Sequence, residues 1–367
     1  MELLNLDGVI EKGVFEIPSY QRGYAWQMKQ LENFWNDLEH VSKLENKFHY
    51  MHSLTLRKSD DDFGDIDFEI IDGQQRLATS LILLGLLAKT TKNENYSLAN
   101  LKSILSYNFY YHDIGEAFRA IMGEERDLER FQTSFYAKNL IDAYAFFKEK
   151  ISDTPVGTLE KMFDALTKKM LFSVVELNDN RIDPFSSFET INNRGKDLST
   201  LELFKNRLHF VAHKICDGKK LEKLQNEIND TYTRIYYDLR HFKDDHLEDF
   251  LKHFVAYYYG ENSKFKERLL NTAFDAHKKY DDLYDEYEKI NDLLLYLSYS
   301  SKVWYFLHTL DDEELRIEIT PKMRGLLDKM RRLNALSDNA FLPLLLSLFT
   351  IQLVKKALTN SLIPPKN

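Results

Sequence analysis

The chain has 367 residues, 44% hydrophobic and 29% charged, with 13 glycines and 7 prolines, too long for one ordinary core and suited to two or three domains. Few glycines and prolines exclude long low-complexity stretches, and a formal net charge of −9 excludes a surface wrapped in nucleic acid while leaving room for a local basic patch. The single cysteine, Cys216, excludes an intramolecular disulfide framework and a multi-cysteine zinc site.

In chain order, the N-terminus carries acids where a secretory leader carries positive charge. Val14–Ile17 is β-prone and stops at Pro18. Leu31, Phe34, Trp35 and Leu38 at helical spacing predict a helix over Met28–Leu44. Ser53–Arg57 alternates polar and apolar residues as a half-buried strand does, and Phe68–Ile71 is a second short strand ended by Asp72-Gly73. Leu77, Leu81, Leu84 and Ala88 mark a helix that is apolar nearly all round, and so one expected to be buried. From about Asn100 helices dominate, with predicted helices over Ser134–Ile151 and Leu159–Leu171. One strand, Phe172–Leu177, is expected to return to the N-terminal sheet. A helix opens near Ser199 and runs to about Ile215, and four or five more fill Lys219–Ala357. No fixed-period repeat supports a solenoid. Cys216-Asp217-Gly218 interrupts the helices, so the domain boundary is expected near residues 215–220. The longest apolar run, Leu81–Ala88, is far short of the roughly 20 residues a membrane span needs. The expectation is a cytoplasmic protein with no membrane partner.

Three segments hold polar chemistry that packing alone does not demand. In the first, Ile17–Trp26, a strand end runs into Tyr20, Gln21, Arg22, Tyr24 and Trp26. Arg22 offers a planar donor fork for phosphate or carboxylate, while the aromatics either stack on a base or fold over the core. In the second, Ile70–Thr79, a strand passes through Gly73 straight into a helix whose first turn is Gln74, Gln75 and Arg76. Free N–H groups at a helix start bind anions, and glycine allows close approach. Asp72 either caps that helix or holds a metal ion or water. In the third, Phe188–Ser199, two asparagines, Arg194 and Lys196 form a donor-rich turn. Ser199 with Glu202 three residues on makes a capping box, and Lys205 lies further along that helix.

Other candidates are weaker. His209 and His213 are four apart, which is metal-ligand spacing, but no zincin pattern accompanies them, so no metal is assigned. Residues 60–69 hold six acids without the spacing of a calcium loop, which reads as a solvated loop. Lys322, Arg324, Lys329, Arg331 and Arg332 cluster on a predicted helix and form the best local DNA-binding candidate, with a solvated helix face as the plainer reading.

Together the three motifs resemble the N-terminal domain of GmrSD-type and SspE-type bacterial restriction proteins, a family marked by a DGQQR signature and related to ParB and sulfiredoxin folds. Ile17, Pro18, Tyr20, Gln21, Arg22, Tyr24 and Trp26 match one motif, and Asp72–Leu77 reads DGQQRL. Phe188, Glu189, Ile191, Asn192, Arg194, Gly195, Leu198 and Ser199 match a third, followed by Leu201–Asn206. The motifs span residues 14–206 in the family's order. One departure is His52, where relatives often carry glycine. Another is that no His-Asn-His nuclease motif is legible.

The resemblance implies an α+β protein: a small ParB/sulfiredoxin-like mixed-sheet domain over residues 1–215 with a helical insertion at about 90–170, then a mostly α-helical domain over 216–367. It implies an NTP-binding and NTP-hydrolysing regulatory module of an anti-phage restriction system, controlling DNA cleavage by a nuclease domain or partner. Phosphate contacts would fall to Tyr20, Gln21, Arg22, Gly73, Gln74, Gln75, Arg76, Asn192, Arg194 and Lys205, with Asp72, Arg76 and Glu189 as candidate catalytic groups. The cofactors would be an NTP of unspecified base and Mg²⁺; the partners would be nucleotide, DNA and a nuclease, with a homo-oligomer compatible. The alternative is a non-catalytic DNA-binding or adaptor module in which nucleotide acts only as a switch.

Overall fold

A computed structural model describes residues 2–59, 65–108, 112–177, 199–240, 242, 245–261, 263–275, 280, 282–313, 315, 319–336 and 339–361. The chain divides into two compact units, Met1–Asp197 and Leu198–Asn367. The protein is α+β as expected, with a mixed sheet in the first unit and helices throughout the second.

The sheet of the first unit has six strands in the order β1-β6-β3-β4-β2-β5. These are β1 (Glu2–Asn5), β2 (Phe15–Ile17), β3 (His49–Lys58), β4 (Phe68–Asp72), β5 (Leu105–Tyr107) and β6 (Met170–Glu176). Strand β6 pairs with β3 in parallel and with β1 antiparallel, returning to the N-terminal strands. Strands β2, β4 and β5 run parallel to one another, whereas β3 and β4 are antiparallel. The stretch from 90 to 170 is therefore more than a helical insertion, because it supplies β5 to the edge of the sheet. Strand β5 escapes the sequence pattern because it is three residues long.

The helix after Gly73, α3 (Gln74–Thr91), is the central rod of this unit. Every residue from Leu77 to Ala88 is buried, which is what an all-round apolar surface requires. It packs against α6 (Phe135–Ser152) and α7 (Val156–Lys168). Helix α2 (Met28–Ser42) buries Leu31, Phe34, Trp35 and Leu38 and packs on the same two helices.

Strand β3 carries a bulge. Tyr50 pairs with Leu171 and Ser53 with Ser173, so Met51 and His52 together stand opposite the single residue Phe172. His52 takes the left-handed conformation, with φ of 64°. A glycine is at ease there and a side chain is not, which gives the His52 departure a physical cost. Gly73 is the other left-handed position of this region, with φ of 103°, and it begins α3. A Cβ at Gly73 would lie 2.9 Å from Leu54 Cδ1 and 3.1 Å from the Ser53 carbonyl oxygen.

In the second unit, α8 (Thr200–Ile215) packs with α9 (Gly218–Asp238), α10 (Asp245–Tyr258) and α11 (Leu283–Thr309). These contacts place α8 with the helical unit, so the division falls between Asp197 and Leu198 rather than at the Cys216-Asp217-Gly218 interruption. The Ser199–Glu202 capping box forms: Glu202 N–H donates to Ser199 Oγ at 3.2 Å and Ser199 N–H donates to Glu202 Oε2 at 2.7 Å. Helices α12 (Pro321–Leu336) and α13 (Leu342–Ser361) follow. Polar residues interrupt α13, so it holds no long apolar run, yet its segment Leu342–Thr359 has a mean hydropathy of 1.4 and is long and apolar enough to cross a membrane. In this unit it packs on α10 and α11 through Leu345, Leu346, Phe349, Leu353 and Val354.

Two substitutions test the left-handed positions. His52→Gly is expected to raise stability by about 1 kcal/mol by relieving the backbone, and Gly73→Ala to lower it by at least about 1 kcal/mol through strain and contact with β3. Urea denaturation of both variants reads the two opposite signs.

Candidate functional site

The first two motifs meet at the carboxyl ends of the parallel strands β2 and β4, where open sheets present their loops to ligands. The loop after β2 and the turn after β4 are stitched together by side-chain amides. Gln21, fully buried, donates from Nε2 to the carbonyls of Ile70 at 3.2 Å and Ile71 at 2.6 Å. Gln75 works in the other direction: its Oε1 accepts from Ala25 N–H at 2.8 Å and its Nε2 donates to the Gly23 carbonyl at 2.8 Å. Gln74 Nε2 lies 3.5 Å from the Arg22 carbonyl. A loop without regular structure leaves its backbone groups unsatisfied, and these amides satisfy them.

The aromatics of the loop take the packing alternative. Tyr20 and Tyr24 are buried. Tyr24 Oη and Thr79 Oγ1 are hydrogen-bonded at 2.7 Å, and burial pushes the Tyr24 phenol well up, with the Thr79 contact opposing. Trp26 packs on Phe34 of α2, with ring centroids 5.9 Å apart. Gly23 is needed for contact, because a Cβ there would lie 2.5 Å from both Ile114 Cδ1 and Tyr136 Cγ.

The charged part of the site sits where β4 ends and leaves one edge of β3 unpaired. Arg76 donates from Nη2 to Asp72 Oδ2 at 2.9 Å and from Nη1 to the Met51 carbonyl at 2.9 Å. Ser53 Oγ donates to the same Asp72 oxygen at 3.1 Å. The bulge and the residue after it thus supply two partners of the Asp72–Arg76 pair, Met51 through its backbone and Ser53 through its hydroxyl. Both charged side chains are about four-fifths buried, at 17% and 20% exposure. Asp72 does not cap α3. Gly73 occupies the cap position, and among the described residues no side chain accepts from the first-turn N–H groups. Those donors and the positive end of the helix dipole therefore remain available to an anion. Ser53 and the Met51 carbonyl were not among the expected residues, and the one sequence signal for them was the His52 departure.

The third motif is only partly visible, since Glu189, Asn192 and Arg194 lie outside the described residues. Lys205 belongs to the second unit. It is buried on α8 with its Nζ 5.8 Å from the Tyr232 ring centroid. His209, one turn further, is buried and hydrogen-bonded through Nε2 to Asn229 Oδ1 at 3.2 Å. Burial pulls its pKa down to about 3, helped by the Lys205 charge, so it is neutral. The basic cluster on α12 has a structural duty: Arg324 donates to the Leu310 carbonyl and pairs with Asp312 at 2.7 Å. Arg331 donates to the His308 carbonyl at 3.1 Å, and Arg331 and Arg332 both pair with Asp328. Two of these arginines thereby satisfy carbonyls at the end of α11. Lys322 and Lys329 are exposed.

Among the described residues, no three His, Cys, Asp or Glu side chains converge as a metal cage. A Mg²⁺ ion at this site would arrive with phosphate oxygens and use at most one or two carboxylates, such as Asp72. A cleft of about 310 Å³ borders β5 and is lined by Lys102, Ser106, Tyr107 and Arg119, none of them in the three motifs.

Fold and motif define a restriction-system module. Residues 3–209, more than half of the chain, match the family described as GmrSD restriction endonuclease, N-terminal domain, and the chain belongs to that family. The match covers the described sheet, the β4–α3 turn and α8 as far as His209. No curated protein matches the chain.

Removing the Gln75 amide should leave two buried backbone groups unpaired, so Gln75→Ala is expected to cost about 2–4 kcal/mol in chemical denaturation. For His209 the folded pKa lies below the unfolded value of about 6.5, so the unfolded state binds the extra proton and stability falls with acid. Between pH 6.5 and 3 this contributes a slope of up to about 1.4 kcal/mol per pH unit, which His209→Asn should abolish in denaturation curves measured across that range.

Proposed function

We propose that the first unit binds a nucleoside triphosphate with its phosphates at the β4–α3 turn, hydrolyses it with Mg²⁺, and so regulates DNA cleavage by a nuclease domain or partner subunit in an anti-phage restriction system. The observation that carries this reading is the uncapped first turn of α3. Gly73 opens the approach, and Arg76 stands in that turn beside donor groups with no side-chain acceptor among the described residues. Arg22, Gln74 and the third-motif residues Asn192 and Arg194 would complete the phosphate contacts. Asp72 and Glu189 are the candidate general bases, and the cell interior is the setting in which phage DNA is met.

One observation favours a second reading, a DNA-binding or adaptor module in which nucleotide acts as a switch without turnover. Asp72 Oδ2 already accepts from both Ser53 and Arg76, which lowers its capacity as a base.

Calorimetry and phosphate release with ATP, GTP, CTP and UTP, each with Mg²⁺, test both. The wild type should bind at least one nucleotide, and Arg76→Gln should weaken that binding by about 10- to 100-fold, as expected for a lost charge-assisted hydrogen bond. Phosphate release supports the enzyme, whereas binding without release, together with a salt-dependent DNA gel shift, supports the switch. No binding of any nucleotide by the wild type defeats the phosphate site.

A further inference from the structure

We infer that the exposed aromatic row at the start of β3, with Tyr50 and His52 on the strand and Phe48 just before it, is the stacking platform for the base of the nucleotide. This rests on the phosphate-site reading above and adds what holds the other end of the ligand. Among the described residues of the first unit the other aromatic side chains are buried or half-buried, and the loop that the sequence offered for stacking buries Tyr20 and Tyr24. Phe48 and Tyr50 are the exceptions. Among the described residues of the unit they are the exposed large aromatics, at 64% and 54%. Phe48, Tyr50 and His52 are all exposed, whereas residues 49, 51 and 53 between and beside them are less so. The Tyr50 and His52 rings are already neighbours, with centroids 5.3 Å apart.

The row adjoins the charged site. His52 lies between Met51, whose carbonyl receives Arg76, and Ser53, whose hydroxyl reaches Asp72. Tyr50 is two strand residues further on, about 7 Å along β3, a separation of the size that a sugar and phosphate chain spans. Two exposed aromatics at the start of an interior strand are costly in water, and a nucleobase covers such rings well because every base has a π-face. A platform of this kind is tolerant of base identity. The bulge that, with the residue after it, supplies two partners to Asp72–Arg76 also fixes where the row begins relative to the phosphates.

The test separates the two ends of the ligand. The full chain and its Tyr50→Ser and Tyr50→Phe variants are titrated calorimetrically with ATP, GTP, CTP and UTP, and with inorganic tripolyphosphate, all with Mg²⁺. Tyr50→Ser should weaken nucleotide binding about 5- to 100-fold and leave tripolyphosphate unchanged, while Tyr50→Phe stays within about twofold of wild type. Tyr50 is exposed, so neither change disturbs a core. Nucleotide binding by Tyr50→Ser equal to wild type overturns the platform and leaves the phosphate site standing. Equal loss of nucleotide and tripolyphosphate in Tyr50→Ser assigns Tyr50 a structural role and also overturns it. A wild type that binds tripolyphosphate and nucleotides with equal affinity shows that no base is held, whereas one that binds neither ends both readings.

Discussion

The site depends on one backbone conformation, the left-handed turn at Gly73. With φ of 103°, this residue converts β4 into α3 without a connecting loop, directly against the backbone of β3. Two things follow from having no loop. The first-turn N–H groups of α3 end up at the carboxyl edge of the sheet with no side chain among the described residues to cap them. The side chain of Arg76 is also delivered past the end of β4, where β3 has carbonyl groups that no strand pairs. A longer turn would supply its own polar groups to both, and the corner would no longer present uncapped first-turn N–H groups.

The polar residues around that turn divide into two kinds. Gln21 and Gln75 bond to backbone on the facing segment, and between them tie the β2 loop to the β4–α3 corner. They are positioning groups, and their removal would be felt first as instability. Arg76 and Asp72 are different, because their partners on β3 leave part of each group directed elsewhere. Arg76 has five donor hydrogens, of which the bonds to Asp72 and the Met51 carbonyl use two. The motif is therefore a scaffold with a charged tip.

Much of this was legible. The strand at Phe68, the turn at Asp72-Gly73 and the buried helix beyond it were fixed by β-prone residues, a turn dipeptide and an all-round apolar face, and each formed as expected. The capping box at Ser199 formed because its two residues are local and self-sufficient. What escaped were effects of register and partnership. Strands β1 and β5 are too short to show a period, and they exist because β6 and β2 pair with them. The glutamines read as ligand donors because sequence shows an amide and not the backbone carbonyl it meets. The arginines of α12 read as a basic patch because the carbonyls and carboxylates they join come from Leu310, His308, Asp312 and Asp328. His52 is the instructive middle case, since the unusual residue was visible but the bulge that gives it meaning was not.

The charge balance at the corner sets a condition on any anion that enters it. Arg76 sits in the first turn of α3, where the helix dipole disfavours a cation, and Asp72 just before the helix offsets that field. The pair is about four-fifths buried, so neither charge is screened as it would be in open water. A phosphate drawn to the first-turn N–H groups gains from Arg76 and is repelled by Asp72. Under the proposed function that repulsion is best offset by a hard divalent ion between Asp72 and the phosphate oxygens, the usual place of Mg²⁺ in phosphate sites. Free phosphate would then be a poorer ligand than a metal-bound polyphosphate, because only the latter brings its own counter-charge to Asp72.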